Sequence, residues 1–297
     1  MQFLSFIIIY PFIWLYSLLP FRVLYFFSDL IYVLLYHILG YRKKVVIGNL
    51  KMAFPDKSDD EINNIGKKFF KHFADVFGVE MVKSFTMPKK EMVKRYKGIN
   101  MEIFDTYDAQ GRSAIIVGAH YANWEWIFNF NLFIKYDAYA IYKKLKNPYF
   151  DKKVRQTRGR FNTTLVPTKR IFSLAKEVDT ANDTGLYGFI SDQSPRIDKA
   201  KYWTDFLGQR VPVQIGVEAL AKKYNMPIIF YDAKKIKRGY YECTLRLLTD
   251  TPRDFEDYEI TDLYLREVEK QIERVPEHYL WTHKRFKHVG KEPKQSD

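Results

Sequence analysis

The chain has 297 residues, a formal net charge of +13 at pH 7, 47% hydrophobic and 17% aromatic residues, and one cysteine. That length suits one large α/β domain with an appendage, and the apolar content is ample for a core. The lone Cys243 excludes an intramolecular disulfide framework and a cysteine zinc cluster, and reads as an apolar filler in a strand.

Basic charge together with many aromatics suits either a membrane interface or nucleic acid. The amino terminus decides between them. Phe3 to Leu19 is almost wholly apolar, interrupted by Pro11, and Phe21 to Leu39 is a second apolar run carrying Arg22, Asp29 and His37. Arg42-Lys43-Lys44 follows. The flanks lack the basic start and small-residue cleavage site of a secretory signal. A spanning helix needs ~20 apolar residues; the first run is slightly short and the second is interrupted. Residues 1–44 therefore predict a helical hairpin or single anchor, embedded in or lying on the bilayer, with the remainder on the cytoplasmic side of the basic cluster. A pair of buried core helices is the other reading of this pattern. No nucleic-acid motif or Gly-rich phosphate loop is recognisable.

Val45 to Pro55 reads as a short helix halted before the proline. Ser58 or Asp59 can cap a longer helix, with Ile62, Ile65, Phe69, Phe73, Val76 and Val79 (or Glu80) on its core face and Lys67, Lys68 and Lys71 outside. His72 lies beside that face and reads as structural. After Gly111, Ser113 to Val117 reads as a buried strand, and Trp126 to Phe133 as a helix. Between them stands Gly118-Ala119-His120-Tyr121-Ala122-Asn123-Trp124-Glu125. On one regular helix His120 and Glu125 would point roughly 140° apart. They can meet if His120 lies in the turn and Glu125 in the first helical turn, with Asn123 as cap. A carboxylate on one ring nitrogen fixes the tautomer and raises the basicity of the other. That makes a general base requiring no metal, cofactor or covalent nucleophile. The same spacing also fits a half-buried histidine near a surface glutamate.

Ala138 to Tyr142 reads as a strand, and Asn147-Pro148 as a helix start. Asp151 and Arg155 can pair four residues apart. Arg155, Arg158 and Arg160 put dense positive charge after a strand end, where phosphate groups can bind; Arg155 and Arg160 read individually as a solvated helix face. Phe161 to Pro167 is a predicted strand and Ile171 to Val178 a helix. Leu186 to Ser191 is a predicted strand ending at Asp192, which by itself reads as a cap or turn residue. Pro195 to Pro212 reads as a long loop whose basic and aromatic residues suit a lid against lipid headgroups. A helix (213–224), a strand (226–231), a basic turn (234–239), a strand (240–248) and an amphipathic helix (261–274) follow. The turn reads as a solvated hairpin or a membrane-facing edge. Pro276 to Lys287 reads as a terminal helix with a solvated basic end, His283 as structural, and 290–297 as a disordered tail. Strands alternating with helices predict a single α/β domain over 45–289.

Four of these stretches carry a resemblance. His120 to Glu125 resembles the His-x4-Asp/Glu motif of glycerolipid acyltransferases. Its glutamate form, with an aromatic residue after the histidine, resembles the late acyltransferases of lipid A biosynthesis, the lauroyl/myristoyl transferase family. Asn49-Leu50 with Ala53-Phe54-Pro55 resembles that family's domain entry, and Tyr142, Asn147-Pro148, Asp151 and Arg158 its Tyr-Arg, Asn-Pro, Asp and Arg pattern. Pro276 to Lys287 is similar to its carboxyl-terminal Pro-Glu-x-Tyr-x-Trp-x-His-Arg-Arg-Phe-Lys. Lys143 and Lys284 stand where arginine is usual, which removes fork geometry there, and Phe206-Leu207-Gly208 replaces Phe-Phe-Gly.

The resemblance implies an acyltransferase fold with a mixed central sheet behind an amino-terminal membrane anchor, on the cytoplasmic face of a bacterial inner membrane. It implies transfer of a fatty acyl chain from an acyl carrier protein thioester to a hydroxyl of a phosphorylated lipid A precursor. His120 would take the hydroxyl proton and Glu125 would hold and polarise His120. Arg158 would contact phosphate or the oxyanion, and Lys143 phosphate. Asp192 would orient an arginine or position a hydroxyl, while Lys284, Arg285 and Lys287 would face phosphate or lipid. An acyltransferase acting on another lipid, and a non-catalytic basic membrane-binding protein, are the alternatives.

Overall fold

The computed structural model describes residues 1–293; part of the expected tail, 294–297, lies outside the described residues. Its centre is a seven-stranded sheet of β1 (Tyr96–Ile99), β2 (Ala114–Gly118), β3 (Asp137–Tyr142), β4 (Thr163–Pro167), β5 (Gly185–Ile190), β8 (Ile228–Lys237) and β9 (Tyr240–Thr249). The spatial order is β1-β9-β8-β2-β5-β3-β4. Neighbours run parallel except β8 and β9, which form an antiparallel hairpin. The sheet is therefore mixed and flanked by helices, as expected. Every residue of β2, Ala-Ile-Ile-Val-Gly, is buried, as a central strand covered on both faces requires.

Ser58 caps the helix Asp59–Asp75 through a reciprocal capping box with Glu61. That helix passes into a π turn, Val76–Glu80, and its stripe of Ile62, Ile65, Phe69, Val76 and Val79 is buried in the core. The segment after the His120 turn is a 3-10 helix, Trp124–Leu132, rather than an α-helix. Its three-residue period stacks Trp124, Ile127 and Phe130 on one side, where they cover the sheet.

Two expectations about loops change. Pro195 to Pro212 is largely not a lid: Trp203–Phe206 (β6) and Gln209–Pro212 (β7) form a hairpin, and Trp203, Phe206 and Leu207 are buried. The Leu207-Gly208 turn has positive φ at both residues, and the Leu207 N–H donates to Glu269. The basic turn of β8–β9 is neither simply solvated nor a bare edge. Arg238 pairs with Asp29 and Asp75, and Lys235 with Asp75, so the hairpin is tied to preceding helices. The carboxyl-terminal stretch is also not a regular helix. After one 3-10 turn, Pro276–His278, it runs irregularly with Tyr279 and Trp281 buried.

The amino terminus forms two apolar helices, Gln2–Leu18 and Phe21–Val33, the second continuing as a π turn to Ile38. Among the described residues, Phe21–Ile38 is the one helix long and apolar enough to cross a membrane. Large apolar side chains including Phe3, Ile8, Phe12, Phe26, Leu30 and Ile38 stay exposed on this pair. The first helix packs through Phe6 on Tyr149 and Phe150. The second is tied to the helix Asp59–Asp75 by a hydrogen bond from Ser28 to Asp75.

Three inward-turned histidines and one glutamate make stability depend on pH. Burial, reinforced by Lys235, holds the His72 imidazole well below its usual range and His278 at about 3. Burial lowers His283 to about 4 against the pull of Asp192. Glu80 goes the other way, raised by burial to about 7. In the unfolded chain histidine titrates near ~6.5 and glutamate near ~4.3. Between these values the unfolded chain gains three histidine protons that the folded protein excludes, and gives up one glutamate proton that the folded protein keeps. The histidines outweigh the glutamate, so stability falls as pH drops. Differential scanning calorimetry from about pH 7 to about pH 5 should show a declining unfolding temperature, and His278→Gln should flatten the decline. A flat profile in the parent protein would contradict the assignment.

Candidate active site

The site is built where β2 and β5 end. These strands pair in parallel with Gly118 opposite Ile190, so their chains leave the sheet side by side. Two residues further on, each chain presents a titratable side chain, His120 and Asp192. Asp192 is 1% exposed. Its Oδ1 accepts from the His120 backbone N–H at 3.2 Å and lies 2.7 Å from His120 Nδ1. Burial disfavours its charge, but the His120 ring and backbone N–H outweigh burial, and the carboxyl sits below the ordinary aspartate range. An ionised carboxylate can only accept, so the ring proton belongs on Nδ1 and Nε2 is the basic nitrogen. Nε2 has no protein partner among the described residues, and His120 lines a cleft of about 820 Å³.

The expected His120–Glu125 hydrogen bond is not formed. Asp192 occupies the ring nitrogen that Glu125 was to hold. Glu125 instead faces the helix Pro148–Gly159, where Arg158 grips it with both edges of a fork, Nε to Oε2 at 3.2 Å and Nη2 to Oε1 at 2.5 Å. The Arg158 guanidinium also lies over the Phe128 ring at 5.3 Å. Asp192 likewise orients the histidine rather than an arginine. His120, Glu125 and Arg158 line the cleft and Asp192 is buried behind His120, so the four form two pairs, His120–Asp192 and Glu125–Arg158.

Asn123 caps the 3-10 helix as expected, its Oδ1 accepting from the Trp126 N–H. Its Nδ2 donates to Glu80 at 2.6 Å, a residue that the periodicity placed only ambiguously on a core face. Glu80 is fully buried and also accepts from the Tyr25 and Tyr241 hydroxyls. The carboxyl-terminal stretch clamps the other side of the turn: Leu280 N–H donates to the His120 carbonyl, and Ala122 N–H to that of His278. His283 serves structure here, its Nε2 accepting from the Ser194 N–H.

The remaining cations separate by environment. Lys143 is exposed at the end of β3 and lines the cleft. Arg285 does not face phosphate or lipid. It is 1% exposed, donates to Ser194 Oγ at 3.1 Å and lies 4.7 Å from the Phe206 ring centre. Lys284 and Lys287 beside it are exposed. Arg155 pairs with Asp151 at 3.1 Å, as its spacing suggested. Arg160 is not a solvated residue: its guanidinium satisfies the carbonyls of Ser84, Phe85 and Met87.

A family model described as bacterial lipid A biosynthesis acyltransferase matches residues 2–288. The chain is 24% identical over 279 residues to a lipid A biosynthesis lauroyltransferase of Escherichia coli (strain K12), covering 93% of this chain and 89% of that protein. It is 22% identical over 277 residues both to a lipid A biosynthesis palmitoleoyltransferase of the same organism and to a lipid A biosynthesis acyltransferase of Shigella flexneri, covering 93% of this chain and 88% of each.

Double-mutant cycles of thermal stability test the pairing. Glu125→Gln with Arg158→Met should show a coupling of about 0.5–3 kcal/mol, whereas Glu125→Gln with His120→Ala should be additive to within about 0.5 kcal/mol. The opposite pattern would restore a His120–Glu125 pair.

Proposed function

Because this chain belongs to the bacterial lipid A biosynthesis acyltransferase family, we propose that it moves a fatty acyl chain from an acyl carrier protein thioester to a hydroxyl of a phosphorylated lipid A precursor. The observation that carries this reading is a histidine whose Nδ1 is fixed by a buried aspartate and whose Nε2, without a partner among the described residues, stands at a large, largely apolar cleft. His120 Nε2 takes the proton of the acceptor hydroxyl as its oxygen attacks the thioester carbonyl. The carbon–sulfur bond then breaks, the ester carbonyl re-forms, and the imidazolium returns the proton to the leaving thiolate. Asp192 holds the reactive tautomer and stabilises the imidazolium. No covalent enzyme intermediate and no metal or organic cofactor enters this sequence.

The exposed Lys143 supplies positive charge on the cleft wall for the acceptor's phosphate groups, and the Arg158 guanidinium, held by Glu125 through Nε and Nη2, offers its remaining N–H groups as donors beside it. Glu125 is thus a positioning residue for Arg158. A formal charge of +13 draws in two anionic partners, an acidic carrier protein and a phosphorylated lipid in an anionic leaflet. The exposed apolar faces of residues 1–44 support a seat in the membrane, and the basic cluster at Arg42-Lys43-Lys44 favours a catalytic domain on the cytoplasmic side.

Incubating the detergent-solubilised protein with acyl carrier protein thioesters and a tetraacylated lipid A precursor, followed by mass spectrometry of the lipid, should reveal one added chain. His120→Ala should abolish the addition, and Asp192→Asn should slow it by about 10²–10⁴-fold. Transfer at the parental rate by folded, membrane-bound His120→Ala would overturn the mechanism. Thioester hydrolysis that depends on His120 without acylation of this acceptor would redirect the reaction to another lipid.

A further inference from the structure

Beside the His120 cleft lies a second, smaller cavity of about 70 Å³, between the face of β2, β5 and β3 and the 3-10 helix. It continues the cleft, since Trp124, Phe128, Ile141, Phe189 and Ile190 line both. At its far end stand Asn131 and Thr163, closed over by a hydrogen bond between their side chains.

The sheet leaves this space open. Leu186, Gly188 and Ile190 alternate along β5 and all line the cavity, beside Ala138 and Ala140 of β3. Gly188 differs from the other glycines of the sheet. At Gly98, Gly118 and Gly185 the place of the missing side chain is filled by Met101, Tyr231 and Tyr139. At Gly188 an added Cβ would meet nothing closer than 3.7 Å. Interiors are otherwise packed to crystal density, and an unfilled apolar void forfeits contacts on every wall. A void kept open beside a catalytic cleft therefore signals an occupant.

The occupant's chemistry follows from the walls and the direction. The lining is almost wholly apolar, and the cavity extends from Ile190, level with Gly118, back to Leu186, roughly 13 Å along the strand and away from His120. A flexible hydrocarbon with its reactive end at His120 fits that course. The cavity is far smaller than the cleft of about 820 Å³, so most of such a chain lies in the cleft itself.

We infer that this cavity receives the methyl end of the transferred acyl chain, and that Gly188 and Ala140 set the chain length the enzyme prefers. The inference rests on the acyl-transfer reading above and assigns specificity within it. A hydrophobic pocket discriminates one methylene by roughly tenfold or more, so filling or deepening the cavity has a measurable effect.

The test compares saturated acyl thioesters of graded length in the transfer assay. In parallel, free fatty acids of the same lengths displace a fluorescent fatty acid from the full-length protein. Gly188→Val should raise the ratio of shorter-chain to longer-chain turnover by roughly tenfold or more, and shift the displacement profile the same way. Leu186→Ala should move both profiles toward longer chains. If Gly188→Val does not fold, Ala140→Val makes the same reading from the neighbouring strand. Unchanged profiles in these variants, or a loss equal at all lengths, would overturn the inference. If the parent protein transfers no acyl chain but its fatty-acid profile still follows Gly188, the cavity assignment stands and the proposed reaction fails.

Discussion

The parallel pairing of β2 with β5 is the constraint on which the site depends. It delivers Asp192 into a water-excluded position beside His120, where an isolated carboxylate would be strongly disfavoured. Two hydrogen bonds from His120, one from its backbone and one from its ring, make the buried charge tolerable. The dependence is mutual. The aspartate needs the histidine to remain ionised, and the histidine needs the aspartate to hold one tautomer and one orientation. Because both residues leave adjacent strands at the same register, any slip of β2 against β5 would separate them.

Around that pair the turn is held from three directions. Tyr231 and Tyr264 donate to the carbonyls of Ala119 and Gly118 from the sheet and the last long helix. The carboxyl-terminal stretch holds His120 and Ala122 by backbone hydrogen bonds. From the amino-terminal side, Glu80 holds Asn123 and accepts from Tyr25 of the second apolar helix. The apolar helices are thus joined to the site, and they are more than a tether. Lys83 and Thr86 donate to carbonyls at the end of the first helix, and Asp29 of the second reaches Arg238 on the far hairpin. Through Tyr25, Glu80 and Asn123 the second apolar helix is linked by hydrogen bonds to the turn that carries the histidine.

The cleft combines two chemistries suited to an amphiphile. One wall carries Lys143 and the Arg158–Glu125 fork, while the floor and the cavity beside it are apolar. Polar groups at a cleft mouth and hydrocarbon walls behind them fix orientation and exclude water together. The cations that packing draws inward, Arg160 and Arg285, serve structure. Arg160 satisfies the carbonyls of Ser84, Phe85 and Met87, and Arg285 exchanges hydrogen bonds with Ser194, its guanidinium donating to the hydroxyl and its carbonyl accepting from it.

Much of this was legible in the chain itself. Local patterns marked β2, the Asn147-Pro148 helix start, the capped helix after Ser58 and the apolar amino-terminal pair, because each is decided by residues close in sequence. The motif around His120 and the three further stretches pointed to the right family and named His120, Glu125, Arg158 and Asp192 together. Which carboxylate meets which cation was not legible. Asp192 lies 72 residues from His120, and Arg158 lies 33 from Glu125; only strand order and the direction of the 3-10 helix bring these groups within hydrogen-bond reach. The burial of Arg285, the inward turn of Arg238 and the empty space at Gly188 are likewise set by what packs opposite them. Sequence periodicity reports which face a residue takes, whereas partners across a sheet or a cleft are chosen by the tertiary fold.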